Sequence, residues 1–339
     1  MNFSFFTQDV AIDLGTANTV IFMDDKKVVD EPSIIAIDRL SGKVVAAGKK
    51  AKEMHEKESP NIRTVRPLKD GVIADFDAAE NMIREFIKMA NPKRSIFSPS
   101  YHMVVCIPSG STEVEKRAVR DAAEHSGARD FQMIYEPMAA ALGIGLDITA
   151  PSGNMIVDIG GGTTEIAVIS LGGIVADESI KVAGDTFTAE IQQYLRQQYN
   201  IRVGEISAEL VKIQVGSAMS SLEDDAPEPY IFVAPNVMTV HPVEANISYQ
   251  EIAHCLDKSI SKIENSVLSV LEHTPPELYG DIVKKGIFLT GGGAMLRGLA
   301  QRLSHKVNIE FHVAEDPLRA VARGTGVALK NPAYPFLMR

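Results

Sequence analysis

Val10-Ala11-Ile12-Asp13-Leu14-Gly15-Thr16 and Met155-Ile156-Val157-Asp158-Ile159-Gly160-Gly161-Gly162-Thr163 are two versions of one pattern. Each is an apolar run ending in a single Asp, then a Gly/Thr turn. A second apolar run follows, Val20-Ile21-Phe22 in one case and Ile166-Ala167-Val168-Ile169 in the other. The pattern reads as strand, tight loop and returning strand. Glycine lets backbone N–H groups approach an anion closely, Thr hydroxyls add donors, and an Asp at the strand end can hold a hydrated cation. Two such loops facing each other would grip a Mg-bound polyphosphate from both sides. One copy alone reads equally well as a hairpin turn, so the weight rests on the repetition.

The repetition extends beyond the loops. Met103-Val104-Val105-Cys106-Ile107-Pro108-Ser109-Gly110 is an apolar strand running into a turn, with Thr112 and Glu115 spaced as a capping box for a helix. Its counterpart, Gly286-Ile287-Phe288-Leu289-Thr290-Gly291-Gly292-Gly293-Ala294-Met295-Leu296, is again strand, Gly turn and helix. Tyr135-Glu136-Pro137 leads into Met138-Ala139-Ala140-Ala141-Leu142-Gly143, and Glu315-Asp316-Pro317 leads into Leu318-Arg319-Ala320-Val321-Ala322-Arg323-Gly324. The same units recur in the same order, as in a tandem duplication.

Length and composition agree. At 339 residues, with 45% apolar and 23% charged residues, the chain is globular and long enough for two domains. A formal net charge of -10 argues against nucleic acid as a partner. Cys106 and Cys255 are isolated thiols, consistent with a reducing cytosol. No apolar stretch approaches the roughly 20 residues that span a bilayer, and the start lacks the pattern of a signal peptide.

Between these units, residues from about 30 to 75 carry short strand and turn signals and read as an inserted subdomain. Asp77 is spaced with Glu80 to cap a helix whose apolar face is Met82, Ile83, Phe86 and Ile87. Further helices are predicted from Thr186 to Tyr199 and from Ser207 to Leu222. The stretch from Glu223 to Ile247 reads as Pro-rich and irregular, with a β-like Tyr230-Ile231-Phe232-Val233. Ser248 and Glu251 cap a long helix striped by Ile252, Leu256, Ile260, Ile263, Val267 and Leu271, stopped by Pro275-Pro276. The stripe reads as a core face, and the helix is long enough to offer a second face as a lateral contact.

The paired Asp-Gly loops, the Glu-Pro helix and the triple-Gly turn resemble the actin, hexokinase and heat-shock chaperone ATPase superfamily. Within it, Ile12 to Thr19, Asp70-Gly71-Val72-Ile73-Ala74-Asp75, Glu136 to Ala141, Ser152 to Glu165 and Gly286 to Gly293 resemble the MreB family of bacterial actins. The resemblance runs from about residue 9 to 329. It implies an α/β fold of duplicated actin-like (ribonuclease H-like) domains, each a mixed five-stranded sheet with flanking helices, plus two small inserted subdomains. Residues 1–150 with about 318–339 would form domain I, with an insertion at about 30–75. Residues 151–317 would form domain II, with an insertion at about 186–250.

The resemblance also implies ATP and Mg²⁺ in the cleft between the domains. Asp13 and Asp158 would position the metal through water, as in the family pattern. Gly15, Thr16, Ala17, Asn18, Gly160, Gly161, Gly162 and Thr163 would surround the phosphates. Glu136 would orient the attacking water and Thr163 would help place it, because phosphoryl transfer needs mainly positioning and charge neutralisation. Glu136 taken alone reads as a helix N-terminal acid favoured by the macrodipole. Glu209 and Lys212 would contact the ribose and base edge, Gly291, Gly292, Gly293 and Ala294 would line the adenine pocket, and Gly184 and Asp185 would lie at the neck. Two departures stand out: Tyr135 where the family often has an acid, and no Gly-Leu-Pro hairpin within Ala226 to Ile247.

The family's membrane-binding N-terminus and loop are matched in outline by Phe3, Phe5 and Phe6 and by Ile96-Phe97 beside Lys93-Arg94. The alternative is that the phenylalanines pack on the first domain. Burying three Phe side chains contributes at most about 5 to 9 kcal/mol, so a monomer would bind weakly and a filament firmly through avidity. The resemblance therefore implies a cytoskeletal ATPase that polymerises with itself into paired filaments, cytoplasmic and peripheral to the inner face of the cell membrane. Its partners would be cell-wall elongation and morphogenesis proteins. A small-molecule kinase of the same superfamily would need an acceptor base that no residue beyond Glu136 supplies. A chaperone-type switch would need a further substrate-binding domain.

Overall fold

The two Asp-Gly runs become the central strands of two sheets in a computed structural model of the chain, which describes residues 7–23, 26–91, 100–223 and 226–338. In the first half, β1 (Thr7–Leu14), β2 (Asn18–Met23) and β3 (Lys26–Pro32) form an antiparallel meander. A small insertion follows: β4 (Ile35–Asp38), β5 (Val44–Ala47), α1 (Lys49–Met54), β6 (Ile62–Val65), β7 (Leu68–Lys69) and β8 (Val72–Ile73). Then come α2 (Phe76–Ala90), β9 (Ser100–Ile107), α3 (Glu113–His125), β10 (Ala128–Tyr135) and α4 (Glu136–Gly143).

The second half repeats this with β11 (Asn154–Ile159), β12 (Thr164–Ser170) and β13 (Gly173–Ile180). Its own insertion holds α5 (Gly184–Gln198), α6 (Glu205–Val215), β14 (Tyr230–Pro235) and β15 (Pro242–Ile247). After it come α7 (Tyr249–Glu272), α8 (Pro276–Lys285), β16 (Ile287–Thr290), a 3₁₀ turn at Gly292–Met295, α9 (Leu299–Val307), β17 (Phe311–Val313) and α10 (Ala320–Leu329).

The two sheets have the same topology. One runs β10-β9-β1-β2-β3 and the other β17-β16-β11-β12-β13. In each, the central strand pairs antiparallel with its hairpin partner and parallel with the strand that returns through a helix. The duplication inferred from the sequence is therefore present strand for strand, as two actin-like α/β domains each built on a mixed five-stranded sheet. Strands β1, β9, β11 and β12 are buried on both faces, which is why they read as continuous apolar runs rather than alternating ones.

Helices α4 and α10 lie between the sheets. Ala139, Ala140 and Ala141 of α4 and Val321 and Ala328 of α10 share one buried cluster with Val104 of the first sheet and Ile156 and Ala167 of the second. The helices touch backbone to backbone where Gly143 meets Ala320 O and Gly324 meets Ala139 O, and a Cβ on either glycine would overlap the opposing carbonyl.

Local signals held where their side chains cap a helix. Thr112 and Glu115, and Ser248 and Glu251, form complete capping boxes. Three local expectations are corrected. Asp75, not Asp77, caps α2: its carboxylate accepts from Ala78 N at 3.0 Å, and Asp77 sits in the first turn. Helix α6 ends at Val215 instead of reaching Leu222, because the next residue, Gly216, turns to extended backbone. The stretch read as irregular contains a regular hairpin, β14 with β15, paired from Tyr230↔Ile247 to Pro235↔Pro242. The apolar stripe of α7 is a core face, and the opposite face exposes Asp257, Lys258, Lys262 and Asn265. Phe3, Phe5, Phe6, Ile96 and Phe97 lie outside the described residues.

The helix crossing makes a paired expectation. Gly324→Ala should destabilise the chain by about 2 kcal/mol or more through overpacking. Gly326→Ala, two residues on in the same helix with no atom near its added methyl, should stabilise by about 0.5–1 kcal/mol. Denaturant unfolding of both variants measures this, and equal effects would contradict the packing.

Candidate nucleotide-binding cleft

The strand topology carries Asp13 and Asp158 to the carboxyl ends of the two central strands, where each is held by its parallel neighbour. Cys106 Sγ donates to Asp13 Oδ1 at 3.2 Å, and Thr290 Oγ1 donates to Asp158 Oδ1 at 2.7 Å. The two contacts occupy corresponding places in the duplicated units. Burial raises Asp13 to about 6 and Asp158 to about 7, with Asp13 adding repulsion at Asp158.

Beyond each Asp, the loops face one another at van der Waals distance. A Cβ on Gly161 would come within 2.7 Å of Ala17 Cβ, and one on Gly162 within 2.6 Å of Thr16 Oγ1. Glycine is required here for close approach. The second loop is fixed by Gly160 N donating to Thr163 O at 2.9 Å and by Asp185 N donating to Gly161 O at 2.8 Å. The first is fixed by Ser33 Oγ donating to Gly15 O at 2.6 Å and by Gly71 N donating to Thr16 Oγ1 at 3.0 Å.

The loops open onto a cavity of about 550 Å³, within the range of small-molecule sites. Asp13, Asp158, Glu136, and the Gly15–Asn18 and Gly160–Thr163 loops all line it. So do Gly184, Asp185, Glu209, Lys212 and Gly291, Gly292 and Gly293. Ala294 does not: it is buried behind the turn. Beside the second loop Lys212 Nζ donates to Gly184 O at 2.9 Å and Thr188 Oγ1 at 2.8 Å, with Glu209 3.9 Å away, and burial pushes its ammonium pKa down.

Glu136 opens α4 with Pro137 behind it. Burial holds its carboxyl well above the usual range, reinforced by the charges of Glu165, Asp158 and Asp13. Tyr135, beside it, points its hydroxyl to Lys116 Nζ at 3.4 Å.

Several wall residues carry no signal in the sequence. Ile213, Met295, Leu296 and Leu318 give the cavity an apolar lining near α6 and the triple-Gly turn; Ile213 and Met295 remain more than half exposed, which an apolar residue in a helix or turn does not announce. Glu165 is fully buried on β12, and its carboxylate accepts from Ser109 N and Oγ of the first half and from Ser179 Oγ of the second. A charge inside an all-buried strand is the signal that could have marked it.

The donor set suits a hard cation and a polyanion. Two buried carboxylates face a cavity lined by the two glycine loops, with Lys212 held on Gly184 beside the second loop. Among the described residues no three His, Cys, Asp or Glu side chains converge to hold an ion alone. A cation here would complete its shell with water and phosphate oxygens, as Mg²⁺ does.

Comparisons with known proteins agree with this geometry. Residues 7–335 match the family model described as MreB/Mbl protein. The chain is 44% identical over 327 residues to the cell shape-determining protein Mbl of Bacillus subtilis (strain 168), covering 96% of this chain and 97% of that protein. It is 44% identical over 330 residues to the cell shape-determining protein MreB of Escherichia coli (strain K12), covering 96% and 94%. The crystal structure of MreB 5 of Spiroplasma citri bound to AMPPNP matches it with a TM-score of 0.89 at 36% identity, over 96% of this chain and 97% of that one.

Asp158 makes the cleft's electrostatics testable. Its folded value of about 7 lies above its ordinary 3.8, so between those pH values the folded chain binds more protons than the unfolded one. Stability that is complete near pH 4 therefore declines as pH rises to 7. Asn at this position abolishes that titration. Without divalent cations, Asp158→Asn should be more stable than wild type at pH 8 by about 2 kcal/mol and no more stable at pH 4. Melting curves in chelator report the difference, and parallel pH profiles would contradict it.

Proposed function

The chain belongs to the MreB/Mbl family, and from that premise we propose that it is an actin-like ATPase whose protomers polymerise into membrane-associated filaments that organise cell-wall synthesis and rod shape. The observation that carries the reading is the pair of glycine loops closing on each other over Asp13 and Asp158. It is supported by the family's nucleotide-bound relative from Spiroplasma citri. Domain I comprises residues 1–150 with about 318–339, and domain II residues 151–317; the packing of α10 on α4 and β1 favours assigning the end of the chain to the first domain.

In this reading ATP lies with its adenosine between α6 and the triple-Gly turn and its phosphates between the two loops. Bound Mg²⁺ would neutralise phosphate charge and complete its shell through water on Asp13 and Asp158. The N–H groups of Gly15 to Asn18 and Gly161 to Thr163 hold the phosphate oxygens, with Gly160 closing the second loop. Glu209 and Lys212 fix the ribose and base edge, Gly184 and Asp185 the neck. With cationic charge on the floor, the carboxylate of Glu136 takes its ionised form and accepts a hydrogen bond from water, while Thr163 Oγ1 holds that water in line.

The hydrolysis state then reaches the whole molecule, because the two loops belong to different halves. Head-to-tail contacts between identical protomers do not close and so build a filament. No described helix is long and apolar enough to cross a membrane. Attachment instead falls to the segments holding Phe3, Phe5 and Phe6 and Ile96 and Phe97. Their described flanks adjoin: Thr7 pairs with Ser100 in the first sheet, and Asn91 Nδ2 donates to Gln8 Oε1 at 2.9 Å. The described flanks of both segments thus lie together at one end of the first sheet, and a filament would repeat that end many times.

Two measurements test this. Glu136→Ala should retain ATP binding and sedimentable assembly while phosphate release slows about 10²-fold or more; unchanged release sinks its assigned role. Deleting residues 2–6 together with Ile96→Ser and Phe97→Ser should abolish co-sedimentation of ATP-assembled protein with anionic vesicles without preventing assembly. Undiminished vesicle binding would remove these segments from the membrane contact.

A further inference from the structure

We propose that His55, Glu56 and Arg66 of the first insertion form a clasp on the second half, across the mouth of the cleft, whose opening sets the rate of nucleotide exchange. The proposal rests on the reading that a nucleotide fills the cleft.

The observation begins at α6, whose N-terminus has no cap of its own. Gly204 offers no side chain, and the orphan N–H groups of the first turn find their acceptor in Glu56, about 150 residues earlier. Glu56 Oε1 accepts from Glu205 N at 2.7 Å and Oε2 from Ile206 N at 3.3 Å. A helix N-terminus favours such a carboxylate by both hydrogen bonding and dipole. Gly204 is what lets it in: a Cβ there would overlap the Glu56 carboxylate. Glu56 itself has a φ of 61°, a left-handed conformation uncommon for a side-chain-bearing residue.

Arg66 adds a fork beside it. Nη1 donates to Glu205 Oε1 at 2.5 Å and Nη2 to Asp185 Oδ2 at 2.6 Å, with Thr16 O 3.5 Å from Nη2. His55 Nε2 lies 3.5 Å from Glu205 Oε2. The clasp therefore reaches both phosphate loops. Arg66 touches Thr16 of the first, and Asp185, through its own N–H, binds Gly161 of the second. On the other side it holds α6, which carries Glu209 and Lys212. A nucleotide seated in the cleft lies between parts that the clasp ties together, and leaving requires those parts to separate.

The strength of the contacts suits a gate. Arg66, Asp185 and Glu205 are a quarter to two-fifths exposed. Pairs of that kind are individually weak and salt-sensitive, so the clasp can open without unfolding either half.

The test follows release of a fluorescent ADP analogue from the Mg²⁺-loaded full chain, chased with excess ATP below the concentration for assembly. Glu56→Ala, Arg66→Ala and Gly204→Ala should each accelerate release by about three- to tenfold. Gly204→Ala is the sharpest probe, since it keeps every charge and only fills the space of the Glu56 carboxylate. Combining it with Glu56→Ala should give no further acceleration, because both remove one contact. Wild type should release faster as salt rises, and hydrogen exchange should find the amides of Glu205 and Ile206 protected in wild type and exposed in Glu56→Ala. Release at the wild-type rate in all three folded variants overturns the gate alone. A wild-type chain that binds no ADP overturns the nucleotide reading and the gate with it.

Discussion

The close crossing of α4 and α10 is the constraint on which the rest depends. Gly143 and Gly324 let the two helix backbones touch, and Ala139, Ala140 and Ala141 keep the surrounding layer thin. Because one helix comes from each repeat and both lie between the sheets, neither sheet can bury its inner face alone. The central strands on either side then end at a common floor, and the residues at their carboxyl ends, Asp13 and Asp158, have nowhere to go but toward each other.

That placement creates the electrostatic problem that the cleft exists to solve. Burial, with repulsion among the neighbouring carboxylates, raises the pKa values of Asp13, Asp158 and Glu136. In the proposed reading a hydrated divalent ion would relieve the repulsion, and the loops' N–H groups would receive the polyanion that accompanies it. The departures from symmetry divide the labour. The first repeat supplies Glu136 at the start of its Glu-Pro helix, and the second supplies the triple-Gly turn, which in the proposed reading meets the nucleoside. Both glycine loops are in turn anchored by hydrogen bonds from the insertions, Gly71 N to Thr16 Oγ1 and Asp185 N to Gly161 O.

Much of this was legible in the sequence, and for a physical reason. Strands buried on both faces must be apolar throughout, and loops that approach an anion or one another must be glycine, so Val10 to Thr16 and Met155 to Thr163 announce both the sheets and the site. Capping boxes were readable because they are local. What failed involved choices that local pattern leaves open. Asp77 has the better-spaced Glu80, yet Asp75 caps α2 and Phe76 packs on the first core. Pro242-Val243-Glu244-Ala245-Asn246-Ile247 alternates as a strand, but opening on Pro hid it. The partners of Glu165 and of the clasp were invisible because they are far away in sequence: Ser109 for Glu165, Asp185 and Glu205 for Arg66.

The central claim is that the floor and loops bind a nucleotide only as its divalent complex. Calorimetric titration of ATP into the full chain, with Mg²⁺ and again with Mg²⁺ removed by chelation, tests it most directly. The account predicts saturable one-site binding with Mg²⁺ and its loss on chelation. Equal affinity in both titrations would contradict it, because buried carboxylates facing a triphosphate without a cation between them would repel it.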